Sequence, residues 1–571
     1  MTQKFRLPNL GLLNRNKIIS FYFNGKKYFG YEGDTLASAL LANGIHLVGR
    51  SFKYHRPRGF FGAGVDEPNA KVQLYEGDKT EPNVNATELE LVEGLVAKSQ
   101  NCWPSVNFDI GAINNFLNRF FPAGFYYKTF MWPKSFWYKV YEPMIRKTAG
   151  LGVASPKPDN ARYEHKYEYC DVLVAGSGPS GLSSAYAAAK NGARVILAED
   201  KPRFGGSLLT DDVNIGNQTG KEWAEDIIKE LKQMPNVLVK NRSQVFGYYD
   251  HNMLVMFERV SDHLEHVKPY TPRQKLWYIR AKEVVISTGS IERPLVFGNN
   301  DTPGVILASA AKEYIKLYGV LIGKKPIIFT NNDSAYDTAI EFKKNGINPI
   351  ILDTRSGSTS PVVNEVKEQN IEIRFSHAVI AAKGYKKVKA AEIGKLNIDK
   401  TGYEKTETIN CDCICVSGFW TPTVHLSSQS GNKLKFNDEL DAFVPNQTKQ
   451  KEVAVGSANG SFTLEESLIK GFDVGYKLSK KRQLAITLAL EHFTAMLANQ
   501  LLTNHDQLMG KAEPAISDLM VWHAIEETEH KAVAFDVYQQ VGGGYWVKNI
   551  TMLETTFGFL LVLMALQTHF L

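Results

Sequence analysis

Cysteine is scarce in this chain, with five residues in 571. So few thiols cannot build the disulfide framework of a small secreted domain, and no two of them form a CxxC pair, which excludes a dithiol redox centre. The N-terminal stretch MTQKFRLPNLGLLNRNK also lacks the unbroken apolar segment of a secretion signal. Together these absences predict a reducing, cytoplasmic setting.

Excess charge of one sign and long apolar runs are also missing. The net charge of +6 is spread over 571 residues without a long Lys/Arg run, so a nucleic-acid partner is not expected. The segment TTFGFLLVLMALQTHFL at 555–571 is apolar over about a dozen positions, whereas a membrane span needs about 20. We predict a buried core helix there, in preference to a membrane anchor or a truncated span.

The length and the changing patterns predict several domains, because 571 residues are too many for one core. We predict a multidomain α/β protein with a reductase-like core of two dinucleotide-type domains. The predicted segments are a β-grasp domain at 18–98, an aromatic and proline-rich strap at 99–168, a dinucleotide-binding domain at 169–320 and 405–478, an inserted second α/β domain at 321–404, and an all-α fragment at 479–571.

The β-grasp prediction depends on a hairpin followed by a helix. Asn24-Gly25 is a turn between two alternating apolar and polar runs, and Thr35 can cap the helix LASALLANG, which ends at Gly44. Such domains often hold a [2Fe–2S] cluster on four cysteines. Because the following loop, GRSFKYHRPRGFFGAGVDEPNA, contains no cysteine, we expect no iron–sulfur cluster.

The strongest chemical signal is GSGPSG at 176–181, which follows an apolar strand and opens an alanine-rich helix. In such a motif Gly176 permits a tight turn, Gly178 lets a pyrophosphate approach the backbone, and Gly181 lets helix and strand pack closely. Glu199 closes the next strand, where a carboxylate accepts hydrogen bonds from ribose hydroxyls and repels a 2′-phosphate. The pattern predicts an NAD or FAD site and disfavours NADP.

Further turns of the same architecture complete the candidate site. RFGGSL brings two more glycines close to the turn, and STGSIERP is a second contact turn. The candidate cofactor-binding residues are Gly176, Gly178, Pro179, Ser180, Gly181, Glu199, Asp200, Gly206, Ser207, Thr288, Gly289 and Gly456.

The second α/β unit, at 325–355, repeats this rhythm without the glycines. Asn331, Asn332 and Asp333 stand where glycines would be, and their side chains would crowd a pyrophosphate. One bound dinucleotide is therefore predicted rather than two.

In the later run CDCIC, the three cysteines alternate with other residues, which places them on one face of a strand as small buried hydrophobes.

These runs, in this order, resemble the alpha subunit of heterotetrameric sarcosine oxidase from about 18 to 478. The runs are GRSFKYHRPRGFFGAGVDEPNA, VLVAGSGPSGLSSA, AEDKPRFGGSL, VVISTGSIERP and FTNNDSAY, together with the aromatic strap. The resemblance implies NAD at the glycine turn, partners in the form of a beta-type flavin subunit and small subunits, and a small-molecule amine substrate. It places amine oxidation chiefly in the partner, so no catalytic residue is named here.

The last hundred residues show a different chemistry. Glu527-x-x-His530 has the ExxH spacing of di-metal carboxylate bundles, and Glu491 on the preceding helix could add a ligand. The segment 480–571 resembles a family of predicted metal-dependent hydrolases with ferritin-like helices. Half a site is predicted, with three outcomes open: a single weakly held Zn or Fe, a site completed by a second copy, or a solvated acidic cluster.

Three functions follow from these patterns. The first is an alpha-type subunit that supports oxidative demethylation of sarcosine or a related N-methyl amino acid and lacks the folate-binding region of that family. The second is a stand-alone FAD- or NADH-linked reductase. The third is a metal-dependent hydrolase or di-iron protein acting through the C-terminal helices.

Overall fold

The computed structural model describes residues 3–121, 124, 130–150, 152–399, 401–540 and 545–570. The chain divides into two compact units that each draw on several segments. The first unit comprises Met1–Glu164, Arg259–Lys275 and Ser290–Thr421, and the second comprises His165–Glu258, Leu276–Gly289 and Pro422–Leu571.

The first unit begins with a hairpin and a capped helix. Asn24 and Gly25 have φ values of 50° and 76°, as a tight turn between twisted strands requires. Thr35 accepts a hydrogen bond from the backbone N–H of Ser38 and so caps the helix. The elements are β1 (Asn14–Phe23), β2 (Lys26–Glu32), α1 (Leu36–Ala42), β3 (Gly49–Arg50), β4 (Pro57–Arg58), β5 (Lys71–Leu74), β6 (Glu81–Asn85) and β7 (Leu95–Ser99), and the main sheet has the order β2-β1-β7-β5-β6.

The strap that follows contains short helices, α2 (Ile113–Phe116) and α3 (Glu142–Ala149), the latter with proline in its first turn. A π-helical turn at Trp137–Tyr141 leads into α3. Many of its large apolar side chains are exposed, among them Trp103, Phe108, Phe116, Phe120, Trp132 and Tyr138.

The second unit is built on a sheet with the order β12-β9-β8-β15-β14-β13. β8 and β9 are parallel neighbours joined through a helix, and the residues that pair between them, 172–175 and 195–198, are buried, as is usual for parallel strands. The elements are β8 (Tyr163–Ala175), α4 (Pro179–Lys190), β9 (Val195–Ala198), β10 (Asn214–Ile215), β11 (Gln218–Thr219), α5 (Gly220–Gln233), β12 (Val237–Lys240), β13 (Ser243–Tyr249), β14 (Met253–Arg259) and β15 (Gln274–Ile286).

The chain then returns to the first unit and forms a second parallel sheet, with the order β17-β24-β18-β19-β20, beside an antiparallel sheet β21-β22-β23. The elements are β16 (Ser290–Glu292), β17 (Val305–Leu307), α6 (Ala308–Tyr318), β18 (Pro326–Thr330), α7 (Tyr336–Lys344), β19 (Ile350–Asp353), α8 (Pro361–Glu368), β20 (Glu372–Phe375), β21 (His377–Gly384), β22 (Val388–Leu396), β23 (Tyr403–Asn410), β24 (Cys413–Ser417) and β25 (Trp420–Pro422).

The prediction that the three cysteines of CDCIC share one face is wrong. Cys411 packs in the core cluster that contains Ile414 and Val416, whereas Cys413 and Cys415 on β24 are not part of that cluster. The alternation fails because β24 begins only at Cys413, after Asp412 has turned to accept the backbone N–H groups at 324 and 325. All three thiols are buried, as predicted.

The last part of the second unit is first mixed and then helical. The elements are α9 (His425–Gln429), β26 (Lys433–Asn437), β27 (Ala442–Gln447), β28 (Glu452–Ala454), α10 (Leu464–Lys477), α11 (Lys480–Thr503), α12 (His505–Met509), α13 (Pro514–Gln540) and α14 (Tyr545–Phe570). β28 runs parallel to β15 and extends the sheet. Within the described part of the chain, none of these helices has the length and apolarity needed to cross a membrane.

Two glycines place α10 directly against α4. A Cβ at position 471 would lie 2.4 Å from the carbonyl oxygen of Ser180, and one at 475 would lie 2.1 Å from that of Ser184. Ser184 also donates a hydrogen bond to the carbonyl oxygen of Gly471. Backbone therefore packs on backbone along this contact, which fixes the orientation of α4 behind the glycine turn.

Candidate dinucleotide site

The glycine turn joins β8 to α4, and glycine occupies each of its three positions for a different physical reason. Gly176 has φ +104°, which favours glycine, and a Cβ at 181 would lie 2.0 Å from the carbonyl oxygen of Gly176. Gly178 differs, since no described heavy atom lies within 4 Å of the Cβ position there. Gly176 and Gly181 thus serve the fold, whereas Gly178 borders open space at the N-terminus of α4, where Pro179 and Ser180 form the first turn.

Glu199 lies against this turn from the end of β9. Its Oε2 accepts hydrogen bonds from the backbone N–H of Ser177 at 2.9 Å and from the Ser177 hydroxyl at 2.5 Å. Burial, followed by repulsion from neighbouring Asp200, raises the pKa of Glu199 to about 8. The acid predicted to meet the ribose is therefore beside the turn, and Ser177, which was not among the predicted residues, holds it there.

The loop after β9 closes one side of the turn. The backbone N–H of Gly205 donates to the carbonyl oxygen of Ser177 at 3.1 Å. A Cβ on Gly206 would lie 2.9 Å from the Cα of Gly178, and Gly206 has φ +55°. Gly206 is exposed together with Ser207, so both remain available at the rim of the open space.

The end of β15 closes the other side. Ser287 donates through its hydroxyl to the carbonyl oxygens of Ala175 and Gly176, at 2.9 and 2.8 Å. Thr288, a predicted contact residue, instead donates to the carbonyl oxygen of Thr423 at 3.0 Å. Its hydroxyl therefore holds the following loop, and the carbonyl oxygen of Gly289 accepts from the backbone N–H of Thr423 at 3.0 Å.

Gly456 lies behind the first turn of α4. It has φ +64°, and a Cβ there would lie 2.4 Å from the Ser180 hydroxyl oxygen. Gly456 is buried and Ser180 is also buried. The structure thus brings both residues to the site but gives them a packing role beneath the helix N-terminus.

The second turn, after β18, is filled by its own side chains. Asn332 donates to Ser417 and accepts from Ser334, so its amide occupies the centre of the turn. Asp333 pairs with Arg355 at 2.6 Å, and this guanidinium also contacts Asp353 at the end of β19. Side chains therefore fill this turn, and the expectation that it binds no pyrophosphate stays a prediction.

The predicted metal ligands lie on two of the C-terminal helices. Glu491 is on α11, and Glu527 on α13 pairs with His523 at 3.5 Å. His530 is also on α13, but its side chain lies outside the described residues. Among the side chains that are described, no group of three or more His, Cys, Asp or Glu is placed to hold a metal ion.

Comparison with protein families matches three separate stretches of the chain. Residues 16–102 match a family described as a 2Fe-2S iron-sulfur cluster binding domain. Residues 171–258, which contain the glycine turn and Glu199, match the FAD dependent oxidoreductase family. Residues 438–571 match a family described as a predicted metal-dependent hydrolase.

Two curated relatives each match about four-fifths of the chain. The sarcosine oxidase subunit alpha of Rhizobium meliloti (strain 1021) is 46% identical over 456 residues, which cover 80% of this chain and 45% of the relative. This chain is homologous to sarcosine oxidase alpha subunits. A second such subunit, from Corynebacterium sp. (strain P-1), is 31% identical over 470 residues, covering 81% of this chain and 43% of the relative. The chain spans less than half the length of these relatives.

A solved structure supports the same architecture. The L-proline dehydrogenase from P. horikoshii superposes with a TM-score of 0.54 at 19% identity, covering 83% of this chain and 74% of that chain. At this identity the likeness shows the fold alone. With the three family matches it confirms the predicted class, a multidomain α/β protein with a ferredoxin-like N-terminal domain, an oxidoreductase core and a helical C-terminal part.

The family matches correct the cofactor prediction. The expectation of no iron–sulfur cluster is contradicted, because the N-terminal domain matches a cluster-binding family, and the core matches a family named for FAD rather than NAD. The residues in the matched span do not supply four thiolates, since Cys102 is the only cysteine in 16–102. The loop is organised around the buried carboxylate of Glu67, which accepts the backbone N–H groups of Phe61, Gly62, Asn69 and Ala70. No chemical step is assigned to a cluster here.

Proposed function

We propose that the glycine turn of the second unit binds one adenine dinucleotide. The observation that carries the proposal is the open space beside Gly178 at the N-terminus of α4, with the buried carboxylate of Glu199 bonded to the preceding residue, Ser177. The helix N-terminus offers N–H groups to a pyrophosphate, and Glu199 offers an acceptor to a ribose hydroxyl. The resemblance to sarcosine oxidase favours NAD, and the family match over 171–258 favours FAD.

Titration of the purified chain tests this proposal. We expect saturable binding of either NAD or FAD in isothermal titration calorimetry, with one site per chain. NADP should bind more weakly than NAD, because its 2′-phosphate would meet Glu199. A folded chain that bound neither NAD nor FAD would refute the proposal.

We further propose that the chain acts as an alpha-type subunit supporting oxidative demethylation of sarcosine or a related N-methyl amino acid. The homology to sarcosine oxidase alpha subunits supports this reaction class, with the amine-oxidising flavin in a beta-type partner subunit. The exposed aromatic side chains of the strap support a docking face for such a partner, because large apolar side chains of this density are usually covered. Five free cysteines support a cytoplasmic location.

Methylene transfer to tetrahydrofolate is not assigned to these 571 residues, because those from 438 onward match a metal-dependent hydrolase family. Affinity purification of the tagged chain from its own cells, followed by mass spectrometry, tests the assembly. A flavin-containing amine oxidase subunit among the recovered proteins is the expected result. Recovery of the folded chain alone would contradict the assembly.

Two alternatives have an observation in their favour. The FAD-type match over 171–258 favours a stand-alone flavin-linked reductase, and a flavin absorption spectrum from the chain expressed alone would support it. The match over 438–571 favours a metal-dependent hydrolase. Metal analysis of the wild-type chain and of Glu527→Ala decides that alternative, and equal metal content in both would end it.

A further inference from the structure

The helical part of the second unit contains a cleft between α11 and α13. Its volume is about 260 Å³, several times the volume of about 30 Å³ that one water occupies in the liquid. The described residues that line it are aliphatic with one hydroxyl and one carboxylate: Leu484, Thr487, Glu491, Val533, Ala534 and Val537. An apolar cleft with a single charged group is typical of a site for a small ligand of opposite charge.

Glu491 gives this cleft its chemical character. Its Oε2 is shielded from solvent and has no hydrogen-bond partner among the described residues. Thr487 is one helical turn before Glu491 and Leu484 lies a further turn back, so the three share the face of α11 that borders the cleft. A shielded carboxylate oxygen is unfavourable unless a donor or a cation is supplied, and here the protein's described side chains supply neither.

The donor set argues against a metal ion as the missing partner. A protein site for Zn or Fe uses at least three N, O or S ligands, whereas the described residues that line this cleft offer one carboxylate and one hydroxyl. The nearby acid Glu527 is half-buried and already contacts His523. Among the described side chains, no group of three or more His, Cys, Asp or Glu is placed so that it could hold a metal ion.

We propose that the cleft binds a small aliphatic ammonium ion. The ammonium N–H donates to the Glu491 carboxylate, and the alkyl chain packs on the walls formed by Leu484, Val533 and Val537. Such a pair combines a charge-assisted hydrogen bond with the removal of apolar surface from water. This site is separate from the glycine turn and does not rest on the function proposed for it.

Titration of the full chain with n-butylammonium, followed by calorimetry, tests the proposal. We expect saturable binding with a Kd on the order of 1 mM, and at least about tenfold weaker binding to Glu491→Gln, which keeps the shape but loses the charge. The matched control is Glu529→Gln, which removes an exposed carboxylate from α13 and should bind like wild type. n-Butanol, with the same chain length and no charge, should bind at least about tenfold more weakly.

A cleft-filling variant provides a second test that leaves the carboxylate in place. Ala534→Leu should abolish n-butylammonium binding while the circular dichroism spectrum stays that of the wild type. Absence of saturable binding to the wild-type chain, or equal binding to wild type and Glu491→Gln, would overturn the proposal. Tight Zn²⁺ binding that Glu491→Gln abolishes, without competition from n-butylammonium, would also overturn it.

Discussion

Replacing Gly178 by alanine separates the folding role of the glycine turn from its binding role. Gly178 has φ −65° and ψ −178°, which alanine adopts without strain. The added methyl group would meet no described heavy atom within 4 Å. Because alanine also restricts the unfolded chain, we expect the free energy of unfolding to stay the same or to rise by up to about 1 kcal/mol.

The same methyl group would occupy the space through which a pyrophosphate approaches the backbone. Loss of one charge-assisted hydrogen bond costs about 1.5–3 kcal/mol, which corresponds to a dinucleotide affinity about 10- to 150-fold weaker. Calorimetric titration with NAD and FAD measures the affinity, and urea unfolding measures the stability. The pair of results should show weakened binding in a chain of undiminished stability.

Two further alanine variants serve as comparisons for Gly178→Ala. Gly181→Ala should lower stability by about 1–3 kcal/mol, because its Cβ would lie 2.0 Å from the carbonyl oxygen of Gly176. Gly357→Ala, where a Cβ also meets open space, is the matched control. It should leave the dinucleotide affinity unchanged and alter the free energy of unfolding only through the effect of alanine on the unfolded chain. Unchanged dinucleotide affinity in Gly178→Ala would refute the assignment of the open space to the cofactor.

Three other changes test the contacts around the site. The folded-state pKa of Glu199, about 8, exceeds the ordinary value of 4.5, so the folded chain holds an extra proton between these two pH values. The free energy of unfolding should therefore fall as pH rises from 4.5 to 8. Urea unfolding measured across this pH range should show a flatter profile for Glu199→Gln than for the wild type. Gly475→Ala should lower the free energy of unfolding by about 1–3 kcal/mol, because its Cβ would lie 2.1 Å from the carbonyl oxygen of Ser184, and wild-type stability would contradict the packing of α10 on α4. Glu67→Gln, which replaces one acceptor oxygen by an NH2 group that cannot accept, should cost about 1–3 kcal/mol in urea unfolding, and no loss would contradict the role of this carboxylate in the loop.

Local chemistry explains which features could be predicted from the sequence. The Asn24-Gly25 hairpin and the Thr35 cap depend on residues within a few positions of one another, so their signals are complete in the sequence. The glycine turn is similar, because Gly176 and Gly181 contact each other across a single turn. The resemblance to sarcosine oxidase alpha subunits rests on such local motifs taken in order, and the curated relatives confirm it.

Contacts between distant segments explain what was missed. Ser287 bonds to the carbonyl oxygens of the glycine turn although it lies more than 100 positions further along the chain. Arg355 pairs with Asp333, so one of the side chains predicted to crowd a pyrophosphate is also an ion-pair partner. The face assignment of Cys411 failed because the start of β24 depends on Asp412, whose backbone partners lie at 324 and 325.

The central claim is that the bend between β8 and α4 cradles an adenine dinucleotide. A crystal structure of the chain grown with NAD or FAD tests it most directly. We predict pyrophosphate oxygens against the backbone of Gly178 and a ribose hydroxyl within hydrogen-bond distance of Glu199, about 2.5–3.0 Å between oxygens. A structure in which the nucleotide lies elsewhere, or in which protein atoms fill the space beside Gly178, would contradict the claim.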